Sequence, residues 1–547
     1  RVNGWPAAFW KSFGSGRILV TTLAPRGWMR LRTTADPELA PALRSLPNAA
    51  EARRFVPLAP MAALTKDLLL QPGAPSKTSQ ILDAQVGEYI GYSIPPRWMI
   101  AGLLGGFIAM VVGLETWLLR RSGLAAFDWL SSALAIATAA ALLWIGASNR
   151  HTIPMTAAQV EFVEPIPGTD DVRTQGAVAL YNPESSPAVI GSTQGGRLIP
   201  DMTGLEGSAR RIVWKDIDRW SWDNLALGSG ERHGTFVQSV MLPERLEARG
   251  TFGPDGLSGQ LSTAGIATPG DALIATRLGR IGVELGTDGR FRASAGNVFG
   301  QDQYLASGLL SDEQDRRRRI YAQILPEFFR EDLSGRPLLF LWGDRRDTGF
   351  QFEQDRRLLG ASLVAVPLVI ERPPASAPIR IPAPLLPFRT TTNPDGSPSS
   401  PLWDHRRQQW TESSRPASAW LRFQLPVELL PVDLNHARLV ITVSGPVGRV
   451  EISALRRNQN PEAAAANSRD EVVSVKTWEA PVGTLSPAEI VESDLLQLDR
   501  EGGLVLRLAA GEAAPADAAA SPALQSSRLS AWRIEQLSLE VSGTIAP

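Results

Sequence analysis

Four histidines, His151, His233, His405 and His436, and no cysteine make up the chain's stock of soft metal ligands and strong nucleophiles. None of the histidines stands at a ligand spacing such as HExxH, so the pattern predicts no metal site. The lack of cysteine excludes disulfides, thiolate sites and thiol nucleophiles together. No GxSxG elbow, GxxxxGK[ST] phosphate loop or calcium loop occurs. Gly14-Ser15-Gly16 precedes an apolar strand, whereas a dinucleotide fingerprint follows one and opens a helix. The acids Asp170-Asp171 and Asp216/Asp218 read as surface carboxylates of turns and strand edges. No residue is therefore assigned a catalytic, cofactor-binding or metal-binding role.

The tryptophans are the richer signal, 16 of them against 5 tyrosines. Three lie in IVWKDIDRWSWDNLAL at 212–227, where the period-two geometry of a strand puts Trp220 and Trp222 on one face. If that face is exposed, the two rings form a platform for sugar, with Asp223 offering hydrogen bonds. If it is covered, they are core aromatics of a β domain. The charge balance, 55 Lys+Arg against 56 Asp+Glu, excludes nucleic-acid binding through bulk charge.

The elements that must position these residues follow from hydrophobic pattern. Residues 99–119 read MIAGLLGGFIAMVVGLETWLL, 21 residues with one acid, about 31 Å of helix against a ~30 Å hydrocarbon core. Residues 129–146, WLSSALAIATAAALLWIG, carry no charge and are bracketed by Trp129 and Trp144. The pair predicts a transmembrane helical hairpin over 96–148, with Gly102 and Gly106 on one helix and Ala135 and Ala139 on the other as small-residue packing stripes. Arg120 and Arg121 in the short connection place it in the cytoplasm by the positive-inside rule, with both termini outside. This predicts a two-span protein of the bacterial inner membrane.

Upstream, the continuous run Ile18 to Leu23 and the scattered helical periodicity of 38–90 read as the end of an α/β domain over 1–95, and the Arg1 start predicts that sequence is missing before it. Downstream, alternation takes over. Residues 150–372 read as a β-rich domain, interrupted by a helix near 311–325 that Ser311 caps with Gln314 as its reciprocal partner. That helix carries Arg316 to Arg319 beside Asp312, Glu313 and Asp315, a self-compensated surface. Nine prolines between Pro373 and Pro401 mark 373–402 as a linker. Leu421/Phe423/Leu425, Leu439/Ile441/Val443 and Leu537/Leu539/Val541 then predict a C-terminal β-sandwich of jelly-roll type over 403–547. The fold class expected is thus a multidomain α+β membrane protein.

The order of parts resembles a family of bacterial two-span membrane proteins with a glutamine-amidotransferase-like α/β part ahead of the hairpin and extracytoplasmic β-rich arms. The residues that carry the likeness are GSGRILVTTLAPRGW at 14–28, VGEYIGYSIPPRW at 86–98, LRFQLP at 421–426 and LSLEVSG at 537–543. The resemblance implies MoxR-type ATPases and von Willebrand A-domain membrane proteins as partners beside the lipid bilayer. The class I amidotransferase nucleophile is a cysteine, which this chain lacks. The function expected is therefore non-enzymatic: β domains that bind a partner protein or support an envelope assembly. Cell-wall glycan binding through Trp220, Trp222 and Asp223 is the alternative, and amidotransferase-like activity housed in missing upstream sequence is the second.

Overall fold

The computed structural model describes residues 8–13, 16–33, 54–58, 76–91, 97–119, 132–133, 135–140 and 144, and, with short breaks, 153–242, 244–456, 471–511 and 531–547. The described residues are mostly β, 51% strand and 17% helix, and the chain divides into two compact units. One is Arg1–Leu242 with Arg345–Ser362, the other Pro243–Asp344 with Leu363–Pro547.

The first unit corrects the α/β expectation at its start. The apolar run does form a strand, β2 (Gly16–Thr21), but it pairs antiparallel with β1 (Ala8–Phe13), Phe13 opposite Gly16 and Ala8 opposite Thr21. Two residues separate the strands, and a parallel neighbour would need a crossover of about a dozen or more. The amidotransferase-like part is therefore not present in what the structure describes.

The membrane hairpin is corrected as well. A helix forms where the first span was expected, α2 (Arg97–Leu119), following α1 (Lys77–Val86). Yet among the described residues no helix is long and apolar enough to cross a membrane. Of the second expected span, only 132–133, 135–140 and 144 are described. The two-span topology, and the inner-membrane location read from it, are withdrawn. Arg120 and Arg121 lie outside the described residues.

Two sheets build the core of the first unit. β3 (Thr156–Pro165), β4 (Asp171–Asn182) and β9 (Gly230–Met241) form an antiparallel sheet that β6 (Arg197–Pro200) extends along β9. α1 lies against β3, β4 and β9. Its buried residues Ser79, Leu82 and Val86 fall at i, i+3 and i+7, one stripe of a helix. Ser76 starts α1 by accepting from the Ser79 N–H at 3.0 Å, and its hydroxyl donates to Gln175 on β4 at 2.7 Å.

The second sheet is four antiparallel strands in the order β7 (Arg211–Asp216), β8 (Arg219–Asp223), β5 (Ile190–Ser192) and β10 (Phe350–Phe352). It shares one core with the first sheet: Ile190 and Trp220 meet Ala157, Val178, Leu180, Leu198 and Phe236. β11 (Arg357–Glu371) gives its first residues to this unit and the rest to the other.

In the second unit, the strands Ala248–Gly253, Gly256–Leu261 and Arg290–Ser294 form an antiparallel meander. α3 (Asp312–Glu331) opens on the Ser311/Gln314 capping box: the Gln314 N–H donates to Ser311 Oγ and the Ser311 N–H to Gln314 Oε1, each at 3.2 Å. Arg317 pairs with Asp271 at 2.7 Å, and Tyr321 donates to the Asp271 carbonyl at 2.9 Å. Two five-stranded sheets complete the unit. The proline-rich stretch contributes an edge strand to each, β12 (Pro378–Ile381) beside the C-terminal strand Arg533–Ile545, and β13 (Phe388–Thr391) beside Ala417–Gln424. An edge strand is where proline, lacking an N–H, is tolerated in a sheet.

Candidate functional site

The tryptophan segment lies in the sheet β7-β8-β5-β10, and the register explains each ring. Trp214 on β7 is opposite Trp220 on β8, Trp220 opposite Ser192 on β5, and Ser192 opposite Phe350 on β10. Directly opposed residues share a face, so these four form one row across the sheet. Ring centroids are 6.4 Å apart from Trp214 to Trp220, 6.4 Å from Trp220 to Phe350 and 5.1 Å from Phe350 to Phe236 on the facing sheet.

This row runs from buried to open. Trp220 is 2% exposed and its indole donates to the Gly196 carbonyl at 2.6 Å. Trp222 is half-buried, with its indole on the Leu198 carbonyl at 3.1 Å. Asp223 accepts from Arg211 at 3.1 Å. These two indoles are held against the body of the unit, and Trp220 and Trp222 do not form an outward platform. Trp214, in the same row but on the last described strand of the sheet, is 54% exposed. Among the described residues β7 has a neighbour strand on one side only. Trp214 is the exposed member of the row, which period alone did not single out. The signal in sequence was its place on the first strand of the hairpin, farthest from the apolar segments.

The remaining residues of interest are scattered. Gly102 and Gly106 have nothing within 4 Å of their Cβ positions among the described residues, and Ala135 and Ala139 are exposed. His151 and His405 lie outside the described residues, and His436 stands 4.0 Å from Glu489.

His233 on β9 meets Asp83 of α1 through Nδ1 at 3.0 Å and Glu231 through Nε2 at 2.8 Å. These hydrogen bonds, that to Asp83 first, outweigh partial burial and raise its pKa to about 10. With a carboxylate on each nitrogen it is a fixed imidazolium, with no free nitrogen to act as base toward a nucleophile. Glu161 on β3 is fully buried, and burial pushes its carboxyl up despite the Ser362 hydroxyl and the charge and N–H of Arg346. It accepts from Ser362, from the Arg346 N–H at 3.2 Å and from Gln159 at 3.2 Å, while Thr348 donates to Gln159 at 3.1 Å. This network ties residues 346–348 and Ser362 to β3. No group of three His, Cys, Asp or Glu suited to a metal occurs among the described residues.

The chain matches no known protein family and no curated protein sequence. Among solved structures, a carbohydrate-binding module of the β-sandwich superfamily is 8% identical over 56% of this chain and 99% of its own, with a TM-score of 0.12. Vicilin from Capsicum annuum is 9% identical over 63% of this chain and 77% of its own, with a TM-score of 0.09. The collagen-binding domain of the Erysipelothrix rhusiopathiae surface protein RspB is 9% identical over 71% and 78%, also at 0.09. Likenesses with TM-scores this far below 0.5 carry no argument. The resemblance to the amidotransferase-like two-span family is withdrawn, since the described residues hold neither its α/β part nor a membrane-crossing helix.

Proposed function

We propose that this chain acts by binding rather than by catalysis, and that it binds protein, taken up as an added strand along the edge of β7 that has no partner strand among the described residues, with Trp214 as the anchor. The observation that carries the reading is the aromatic row. A tryptophan that is half exposed at a strand edge is also backed by Trp220, Phe350 and Phe236, so its ring is preset and loses little freedom on docking. Tryptophan in such a setting is the residue type that dominates protein interfaces. The edge offers main-chain hydrogen bonds, which an extended peptide takes and a sugar does not. A glycan platform calls for rings exposed together, and here Trp220 and Trp222 are turned to backbone carbonyls.

The test is a photo-crosslinking residue placed at Lys215 of the full chain, in native extracts, with MoxR-type ATPases and A-domain proteins among the species scored. A defined protein crosslink that Trp214→Ala abolishes while circular dichroism stays unchanged supports the reading. Retention on cell-wall polysaccharide that Trp214→Ala abolishes, with no protein crosslink, overturns it in favour of glycan.

A further inference from the structure

A chain of buried polar side chains runs from β3 to the back of the aromatic row. Glu161 and Gln159 on β3, Gln238 on β9, Ser362 on β11 and Thr348 are all buried, where a polar group is costly unless its hydrogen bonds are made. Glu161 Oε1 accepts from the Ser362 hydroxyl and from the Arg346 N–H, and Oε2 accepts from the Gln159 amide. Gln159 Oε1 accepts in turn from the Thr348 hydroxyl. The Gln238 amide donates to the Thr348 carbonyl at 3.0 Å and to the Gln194 carbonyl at 3.1 Å, and the Thr193 N–H donates to the Gly349 carbonyl at 3.0 Å. These bonds hold residues 345–349, a strap that runs directly into β10 and Phe350, whose ring backs Trp220.

We infer that Glu161 is a proton-controlled latch on this strap, closed while its carboxyl is neutral and released as the carboxyl ionises, and that it thereby sets how firmly Trp214 is backed. The second half rests on the proposed use of Trp214 as an anchor.

The geometry says where the proton sits. Oε1 already faces two donors, one of them a backbone N–H that cannot turn, so the proton belongs on Oε2, toward Gln159. With its amide turned end for end, Gln159 accepts from Oε2 and donates to the Thr348 oxygen, so the neutral latch keeps both links. Removing the proton to water leaves a charge at a carboxyl with no solvent contact. Arg346 is the charged group that acts on it; β11 presents Ser362 and β4 the Gly176 position, neither of them charged. Burial outweighs that charge and the three hydrogen bonds, and lifts the carboxyl above the usual carboxylate range. The buried charge is relieved by water, and water reaches it where the strap lifts. An acid raised in this way contributes its stability at low pH and loses it as pH rises through the folded value. Asp347, which accepts from the Gly349 N–H at 2.9 Å, is the other carboxylate on the strap.

The test is amide hydrogen exchange of Arg346 in the full, free chain from about pH 4 to about pH 8, corrected for intrinsic exchange. Protection in the native protein is expected to be highest at the acid end and to fall by about tenfold or more as Glu161 ionises. Glu161→Gln, neutral at every pH, should lack that fall, and the comparison cancels the share of Asp347, which is present in both. Ser362→Ala removes a donor to the ionised carboxyl and should move the midpoint to higher pH, a shift that a merely structural role for Glu161 would not produce. Parallel profiles for the native protein and Glu161→Gln, or a midpoint that Ser362→Ala leaves in place, overturn the latch. The Trp214-dependent crosslink from Lys215 should weaken over the same pH range in the native protein and stay level in Glu161→Gln. A latch that titrates by exchange while the crosslink ignores pH overturns its hold on Trp214. No crosslink at any pH, with the exchange step intact, refutes the binding reading and leaves the latch standing.

Discussion

Replacing His233 by glutamine removes a cation held between Asp83 on α1 and Glu231 on β9. The rise of the imidazole pKa from 6.5 to about 10 sets a ceiling of about 5 kcal/mol on what the folded state gains from the proton, each factor of ten being worth about 1.4 kcal/mol. With 31% of the side chain exposed, solvent screening reduces the expected share to about 2–3 kcal/mol. A group whose folded pKa is raised contributes fully below its unfolded value and loses the contribution as pH rises through its folded value. The latch is therefore complete below pH 6.5 and lost on passing pH 10. The chain has two compact units, so a single global melting point mixes their stabilities, and amide hydrogen exchange of α1 is the appropriate assay. In the native protein, protection of the α1 amides, corrected for intrinsic exchange, should fall roughly thirty- to hundredfold between pH 6.5 and pH 10. In His233→Gln it should start low and stay nearly flat over that range. Parallel profiles for the two proteins, whatever their offset, would refute the assignment of a fixed imidazolium.

Four further outcomes follow from the packing. Trp220→Ala, which empties a buried ring site, should cost about 3–5 kcal/mol of stability, while Trp214→Ala at the open end of the same row should cost under about 1 kcal/mol; urea unfolding separates the two. Glu161→Leu strands the Ser362 hydroxyl, the Arg346 N–H and the Gln159 amide in the core, and should cost about 2–4 kcal/mol by the same measurement. At Asp499, burial pushes the carboxyl up, but the Arg422 hydrogen bonds, the Gly503 and Glu501 N–H groups and the Arg422 charge prevail and bring its pKa to about 2; its contribution is present above pH 3.8 and lost as pH falls through about 2, so acid titration of Asp499→Asn should lack that final loss. Ser311→Ala removes the α3 cap and should cost about 1 kcal/mol, read as faster exchange in the first turn of the helix.

Local rules were legible where a short stretch decides the outcome. The Ser311-to-Gln314 spacing states its own capping geometry, and Leu439, Ile441 and Val443 alternate in sequence as they do in burial along Val432–Ser444. The same rules stop where partners are distant in sequence. Ile18 to Thr21 has the composition of a buried parallel strand, yet its neighbour is fixed by the closeness of β1 and β2, not by composition. Prolines 378 to 387 suppress interior pairing but not edge pairing, and which one applies depends on strands more than a hundred residues away. Apolar content over 99–119 gives a helix, while among the described residues no helix is long and apolar enough to cross a membrane. At the candidate site the sequence brought Trp214, Trp220 and Trp222 together. Their exposure depends on tertiary packing that spacing does not state, and the face of Asp216 depends on a bulge that no residue type announces.

The central claim is that the β7 edge is where this chain takes up protein. Hydrogen exchange of residues 211–216 measures it directly, in the free chain at low concentration and again in the complex recovered by crosslinking at Lys215. The account predicts slow exchange of the edge amides in the complex and fast exchange in the free chain, with the difference abolished by Trp214→Ala. Unchanged exchange along β7, with new protection on another strand or in the other unit, would contradict it.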